Sequence, residues 1–235
     1  MLVLAFDTSG FSGSVALLDG PRVLGSAILD ADRRSAQTLA PAIVQLLADY
    51  ARKPDEVKLV ATTVGPGSFT GLRVGVTTAK AFAYAVGAEV IGVSTLEAMA
   101  HGTPQDALQD TSEVQAVIDA QRRELFLGRF RSETGVNEAD GLPRLTHLEP
   151  DRIVPADDWL SGLAAGTIVT GSGFAKLAER LPAGVLVVPT ELRDARAETV
   201  GRLAWRDHQA GRRDDLWKLA PVYLRPSYAE EKARK

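Results

Sequence analysis

An α/β architecture made of two similar lobes is what the sequence predicts, on three observations. Apolar runs of strand length alternate with segments of helical periodicity. A buried-type strand ending in aspartate, followed by a polar turn and another strand, occurs twice, at Leu4-Ala5-Phe6-Asp7 and at Val117-Ile118-Asp119. Between the two lies His101 to Ser112, rich in Gly, Pro, Gln and Asp, which marks the boundary between a lobe of residues 1–101 and one of 102–235. The competing reading of the repeat is that strand–Asp–turn is simply common, because aspartate favours turns.

The elements follow in order. Leu2–Phe6 is a continuous apolar run, as in a strand buried on both faces. Strands Ser12–Leu18 and Val23–Leu29 are joined through Asp19-Gly20-Pro21. Leu39, Ile43, Leu46 and Tyr50 recur at helical spacing and predict a helix over Ser35–Tyr50. Pro41 inside it argues for a later start or a kink. A strand Lys58–Val64 leads into Gly65-Pro66-Gly67-Ser68-Phe69-Thr70-Gly71, read as loop, then a helix Leu72–Val86 and a strand Val90–Val93. Thr95–Ala100 makes one or two helical turns.

In the second half, strands Val114–Asp119 and Leu125–Arg131 flank the turn Gln121-Arg122-Arg123, and Ser132–Leu142 reads as loop. Thr167–Thr170 is a short strand running into Gly171-Ser172-Gly173 and a helix Phe174–Leu181. A strand Val185–Val188 and a helix Glu198–Gln209 complete the set, and the charged end of the chain is expected to be mobile.

Composition narrows the function. Charged residues make up 24 % and the net charge is −3, so nothing points to a chain that grips RNA unaided. Cysteine is absent, which removes thiolate nucleophiles and Cys-ligated metals. The apolar start ends at Asp7 with no basic residue before it, and Ala79–Val90 carries Lys80 and Glu89, so a cytoplasmic protein without a membrane partner is expected.

Two motifs have nucleotide-type chemistry. Asp7, Thr8 and Ser9 follow the first strand, and Gly171, Ser172 and Gly173 precede a predicted helix; backbone N–H groups and small hydroxyls in such turns suit phosphate. The bland reading is ordinary strand turns, since no P-loop lysine accompanies them. The loop Gly65–Gly71 either shapes a cleft edge or only turns the chain into its helix, and the latter is favoured because no acid, base or nucleophile pair goes with it. The helix after it has almost no polar face, and Gly71, Gly75 and Ala79 recur every four residues as a smooth stripe. Burial within one lobe explains the stripe; so does close approach of another subunit.

Three segments carry a family resemblance: Leu4-Ala5-Phe6-Asp7-Thr8-Ser9 with Ser14-Val15-Ala16-Leu17; Gly65–Gly75 with Ile91-Gly92-Val93-Ser94-Thr95-Leu96; and Pro221-Val222-Tyr223-Leu224-Arg225. Together they resemble the TsaB (YeaZ-like) family, relatives of TsaD. The resemblance implies an actin-like fold, as in the sugar kinase, Hsp70 and actin superfamily, with two duplicated α/β lobes. It implies a non-catalytic subunit, a homodimer when alone, that pairs with a TsaD-like catalytic subunit and works with a TsaE-like ATPase. The product would be threonylcarbamoyladenosine in tRNA, reached through the complex. It also implies pairing through first-lobe helices, which assigns Leu39, Ile43, Leu46, Gly71, Arg73, Gly75, Val76 and Ala79 to a partner interface.

The resemblance implies that TsaD-like proteins carry two metal-binding histidines separated by three residues on a helix; the matching positions here are Thr95 and Met99, a poor ligand set for a hard or borderline ion. His101, His147 and His208 are scattered. No metal and no cofactor are therefore expected, with ATP or ADP left open, and no catalytic residue is assigned. The family's Asp-Ala-Arg reads Asp119-Ala120-Gln121, which puts any role of that arginine in doubt unless Arg122 or Arg123 substitutes. The rival is an enzyme of the same superfamily, a kinase-like transferase or a metallopeptidase.

Overall fold

The structure, a computed structural model, describes residues 1–30, 35–109, 112–137 and 139–225. The charged C-terminal run expected to be mobile lies outside the described residues. The first half forms β1 (Leu2–Asp7), β2 (Ser14–Asp19), β3 (Arg22–Ile28), α1 (Ser35–Asp49), β4 (Val57–Gly65), α2 (Phe69–Val86), β5 (Glu89–Ser94) and α3 (Thr95–His101). The second half forms β6 (Glu113–Asp119), β7 (Glu124–Val136), β8 (Pro143–Pro155), α4 (Ala156–Ser161), β9 (Ile168–Thr170), β10 (Leu186–Val187) and α5 (Ala197–Gln209).

The two sheets have the same topology. One runs β3-β2-β1-β4-β5 and the other β8-β7-β6-β9-β10. In each, the first strand pairs antiparallel with the second and parallel with the fourth, as β1 does with β2 and β4, and β6 with β7 and β9. Asp7 and Asp119 therefore end equivalent strands, and the repeat read from the sequence is a real duplication. The fold is a two-lobe, actin-like α/β fold.

Every residue of β1 is buried, because the sheet is covered on both faces. Leu4, Phe6 and Leu17 pack with Leu39, Ile43 and Leu46 of α1 and Ala79 and Ala83 of α2. Val3, Ala5 and Leu18 pack on the other face with Val200, Leu203 and Ala204 of α5. That second cluster also contains Leu96 and Met99 of α3 and Val114, Ala116 and Phe130 of the second sheet, so one continuous core joins the lobes. The last helix of each half thus packs on the other half's sheet, α5 on β1 and β2, α3 on β6 and β8. Position along the chain and position in a lobe part company at these two helices.

Four sequence expectations need correction. Helix α1 starts at Ser35 with Pro41 inside it, not later, since burying Leu39, Ile43, Leu46 and Leu47 outweighs one missing hydrogen bond. The loop after β4 is shorter than Gly65–Gly71, because Ser68 caps α2, its Oγ accepting from Gly71 N at 3.2 Å, and Phe69, Thr70 and Gly71 are helical. Residues 132–136 extend β7 rather than forming loop, and β8 was missed altogether. Strand β8 is an edge strand bounded by Pro143 and Pro155 with mostly half-exposed positions, so it lacks the apolar run that marks an internal strand. The helix expected over Phe174–Leu181 is a 3-10 segment, Ala175–Arg180, with no buried residue to anchor a longer helix.

Candidate functional site

The carboxyl end of β1 is where the first nucleotide-type motif falls, and the chain itself fills it. Asp7 is buried, and its Oδ1 accepts from Ser9 N at 3.0 Å, Ser9 Oγ at 2.6 Å and Thr63 Oγ1 at 2.6 Å. Burial lifts the Asp7 carboxyl above the usual range, the hydrogen bonds from Ser9 and Thr63 pull it back, and the Asp194 carboxylate adds a smaller upward push. Thr63 on β4 was not singled out in the sequence; a hydroxyl on the neighbouring parallel strand carries no local signal.

Thr8 and Ser9 are buried too. Thr8 Oγ1 donates to Gly71 O at 2.7 Å, and Ser68 N donates to Ser9 O at 2.8 Å. Glycine at 71 is required by this approach, since a Cβ there would lie 1.9 Å from Thr8 O. At Gly75 a Cβ would lie 2.5 Å from Thr8 Oγ1 and 2.9 Å from Thr62 Oγ1. The stripe Gly71, Gly75, Ala79 therefore faces inward, onto the chain's own β1 turn. Leu39, Ile43, Leu46 and Val76 are likewise buried within the chain, and of the eight residues assigned to a partner interface only Arg73 is exposed. The small residues mark where α2 meets β1, so this stripe, assigned from the sequence to a partner interface, is occupied by the chain's own packing.

The opposite side of α1 and α2 is apolar and open. Val44 is 69 % exposed and Tyr84 67 %. Ala40, Val44 and Ala48 of α1 and Thr78 and Phe82 of α2 line a groove of about 300 Å3. On the other flank of α2, the Tyr84 ring meets the exposed Trp217 edge-on at 5.5 Å, and Arg73 stacks on Phe69, 3.8 Å from the ring centroid. Placing Leu39, Ile43 and Leu46 inward already implied Ala40, Val44 and Ala48 outward, a signal the sequence held and that was not used.

In the second lobe, Asp119 accepts from Gln121 N at 2.7 Å and lies 3.6 Å from Lys176 Nζ. Unlike Asp7, its side chain is 38 % exposed. Gln121, Arg122 and Arg123 all adopt left-handed backbone, with φ of 62°, 55° and 63°. Gly171 and Gly173 sit against β6: their Cβ positions would fall 2.1 Å from Val117 O and 2.7 Å from the Ile118 carbonyl carbon, and Gly173 N donates to Val117 O at 3.0 Å. The pair packs β9's turn onto β6, and with no α-helix after it there is no helix N-terminus for an anion. On α3, Thr95 and Met99 are buried, Met99 within the shared core. Among the described residues, no group of three or more His, Cys, Asp or Glu side chains is placed to hold a metal, and no helix is long and apolar enough to cross a membrane.

Comparison with known proteins gives a consistent result. The family model described as TsaD, tRNA N6-adenosine threonylcarbamoyltransferase, matches residues 29–153, more than half of the chain. A Bacillus subtilis (strain 168) protein named tRNA threonylcarbamoyladenosine biosynthesis protein TsaB is 31 % identical over 164 residues, 69 % of this chain and 66 % of that protein. The match thus spans slightly less than two thirds of that relative's length. The Escherichia coli (strain K12) protein of the same name is 28 % identical over 239 residues, 99 % of this chain and 98 % of its own. The solved structure of YeaZ from Pseudomonas aeruginosa superposes with a TM-score of 0.75 at 28 % identity, covering 95 % of this chain and 99 % of that one.

Proposed function

Because the chain belongs to the TsaB (YeaZ-like) branch of the TsaD family, we propose that it is a non-catalytic subunit of a machinery that makes threonylcarbamoyladenosine in tRNA. In this reading it pairs with a TsaD-like catalytic subunit, acts alongside a TsaE-like ATPase, forms a homodimer when alone, and meets tRNA through the complex in the cytoplasm. The observation that carries the proposal is the sealed β1 turn. Asp7, which ends the strand whose following turn suits phosphate, has its Oδ1 occupied by Ser9 and Thr63, and α2 lies against Thr8. The buried Thr95 and Met99 agree with it, since they stand where the catalytic relatives carry metal-binding histidines.

The partner surface in this proposal is the outward face of α1 and α2. An apolar groove lined by Ala40, Val44, Ala48 and Phe82 is the kind of surface that receives apolar anchors in a protein interface. The test is Val44→Glu. Val44 is exposed, so stability should change by no more than about 0.5 kcal/mol. Affinity for the TsaD-like subunit should fall at least about tenfold, with loss of tRNA modification in the reconstituted system. A folded Val44→Glu chain that binds and supports modification normally would remove this surface from the proposal. ATP or peptide turnover by the chain alone, abolished by Asp7→Ala, would favour the enzyme reading.

A further inference from the structure

Beyond α5 the chain returns across the first lobe and ends its described course on the second. Gly92 N donates to Asp214 Oδ2 at 2.8 Å, which fixes the return to the edge of β5. Lys80 Nζ on α2 donates to the carbonyls of Trp217 at 2.9 Å and Leu219 at 3.1 Å. Val222 N then donates to Val64 O at 2.7 Å, beside the end of β4. The approach is close: a Cβ on Gly65 would lie 2.6 Å from Val222 O. The Tyr223 ring packs on Phe69 at 5.1 Å, tilted by 31°, and its hydroxyl accepts from Arg73 Nε at 3.1 Å. Finally, Arg225 donates to the carboxylate of Glu124 at the start of β7.

The direction of this path matters. The end of β4 and the turn before β7 are both at the carboxyl ends of their sheets' parallel pairs, β1/β4 and β6/β9, and the segment after Val222 touches both. Residues 221–225 therefore pass from the carboxyl end of β4 in one lobe to the start of β7 in the other. The exchanged helices α3 and α5 join the lobes through apolar packing, whereas this crossing is held by backbone hydrogen bonding on one side and one ion pair on the other. The Arg225 side chain is 18 % exposed, so its charge is largely removed from water and depends on Glu124.

We propose that residues 221–225 form a latch that sets how far the two lobes open, with Arg225 and Glu124 as its clasp. The absence of cysteine makes the test direct. Lys58→Cys in the first lobe and Ser161→Cys in the second place spin labels at exposed sites, and dilution with unlabelled protein isolates distances within one chain. The parent should give one narrow distance distribution. Arg225→Ala and Glu124→Gln should each add a longer-distance population, a rise of roughly fivefold in the open fraction. The exchanged pair, Glu124→Arg with Arg225→Glu, should restore the narrow distribution. Unchanged distributions in both single variants would overturn the latch. So would widening in both singles that the exchanged pair fails to reverse, because the effect would then not be the clasp.

Discussion

Replacing Gly75 by alanine separates two opposed physical effects. Gly75 lies in the middle of α2, where alanine should stabilise a helix by about 1 kcal/mol through lower backbone entropy in the unfolded chain. The packing says the reverse. The new Cβ would lie 2.5 Å from Thr8 Oγ1 and 2.9 Å from Thr62 Oγ1, and Thr8 cannot turn away without losing its hydrogen bond to Gly71 O. Overpacking of this kind costs roughly 1–3 kcal/mol, and the lost hydrogen bond adds about 1 kcal/mol. The net expectation is destabilisation by about 1–3 kcal/mol in equilibrium urea unfolding. In a Thr8→Ala background the nearer obstacle is gone, so Gly75→Ala should cost about 1–2 kcal/mol less there, a coupling that a double-mutant cycle reads directly. Partner binding by folded Gly75→Ala protein should be retained, because the residue faces β1 and not the outer groove. If Gly75→Ala raises stability, or the cycle closes without coupling, α2 does not rest on Thr8 and the inward assignment of the stripe is refuted.

Two further predictions concern buried titratable groups. The raised carboxyl of Asp7 favours folding at acid pH, and that contribution is lost as pH rises through the folded value. Asp7→Asn keeps an oxygen for Ser9 and Thr63 and should match or exceed the parent at pH 7, whereas Asp7→Ala should lose roughly 2–4 kcal/mol by urea unfolding; the opposite order would mean the charge itself is needed. His101 has the reverse sign. Burial, then the charge of Arg206, lowers it to about 4, so its contribution is complete above the ordinary histidine value and is lost as pH falls from about 6.5 to about 4. Its Nδ1–H donates to Glu97 O at 3.1 Å, which leaves Nε2 to accept from Arg206 at 3.4 Å, an arrangement only the neutral ring allows. Unfolding free energy should therefore drop by roughly 3 kcal/mol across that window, and His101→Gln should flatten the profile there.

How much of this was legible depended on where each signal resides. The buried strands and the phase of α1 and α2 were readable because burial on a regular element writes itself as periodicity, as Leu39, Ile43 and Leu46 do. The duplication was readable at Asp7 and Asp119 because both copies kept a strand that ends in the same residue type. Strand β8 was not, because an edge strand bounded by prolines needs no apolar run. The direction of the Gly71–Gly75 stripe was not legible either. A run of small residues states that something comes close, not what; here it is Thr8, sixty-three residues away in sequence from Gly71. The same holds for Thr63 on Asp7 and for Glu124 on Arg225, pairings that exist only once the sheets are assembled.

The two halves have diverged along different lines, and the divergence bears on function. Both keep the strand order and an aspartate at the end of the first strand. In the first lobe the two helices after β3 and β4 are long, fifteen and eighteen residues, and α2 is pressed so close that Asp7, Thr8 and Ser9 are buried. In the second lobe their counterparts shrink to a six-residue helix and a six-residue 3-10 segment, and Asp119 stays partly open to solvent. The two equivalent turns are therefore unlike in exposure, the first buried under α2 and the second partly open. The same long helices that seal the first turn carry an apolar face outward, the face proposed above to meet a partner. Interior closure and exterior adhesion are thus two sides of α1 and α2, which is why an inward substitution such as Gly75→Ala and an outward one such as Val44→Glu should part cleanly, one reporting on folding and the other on assembly.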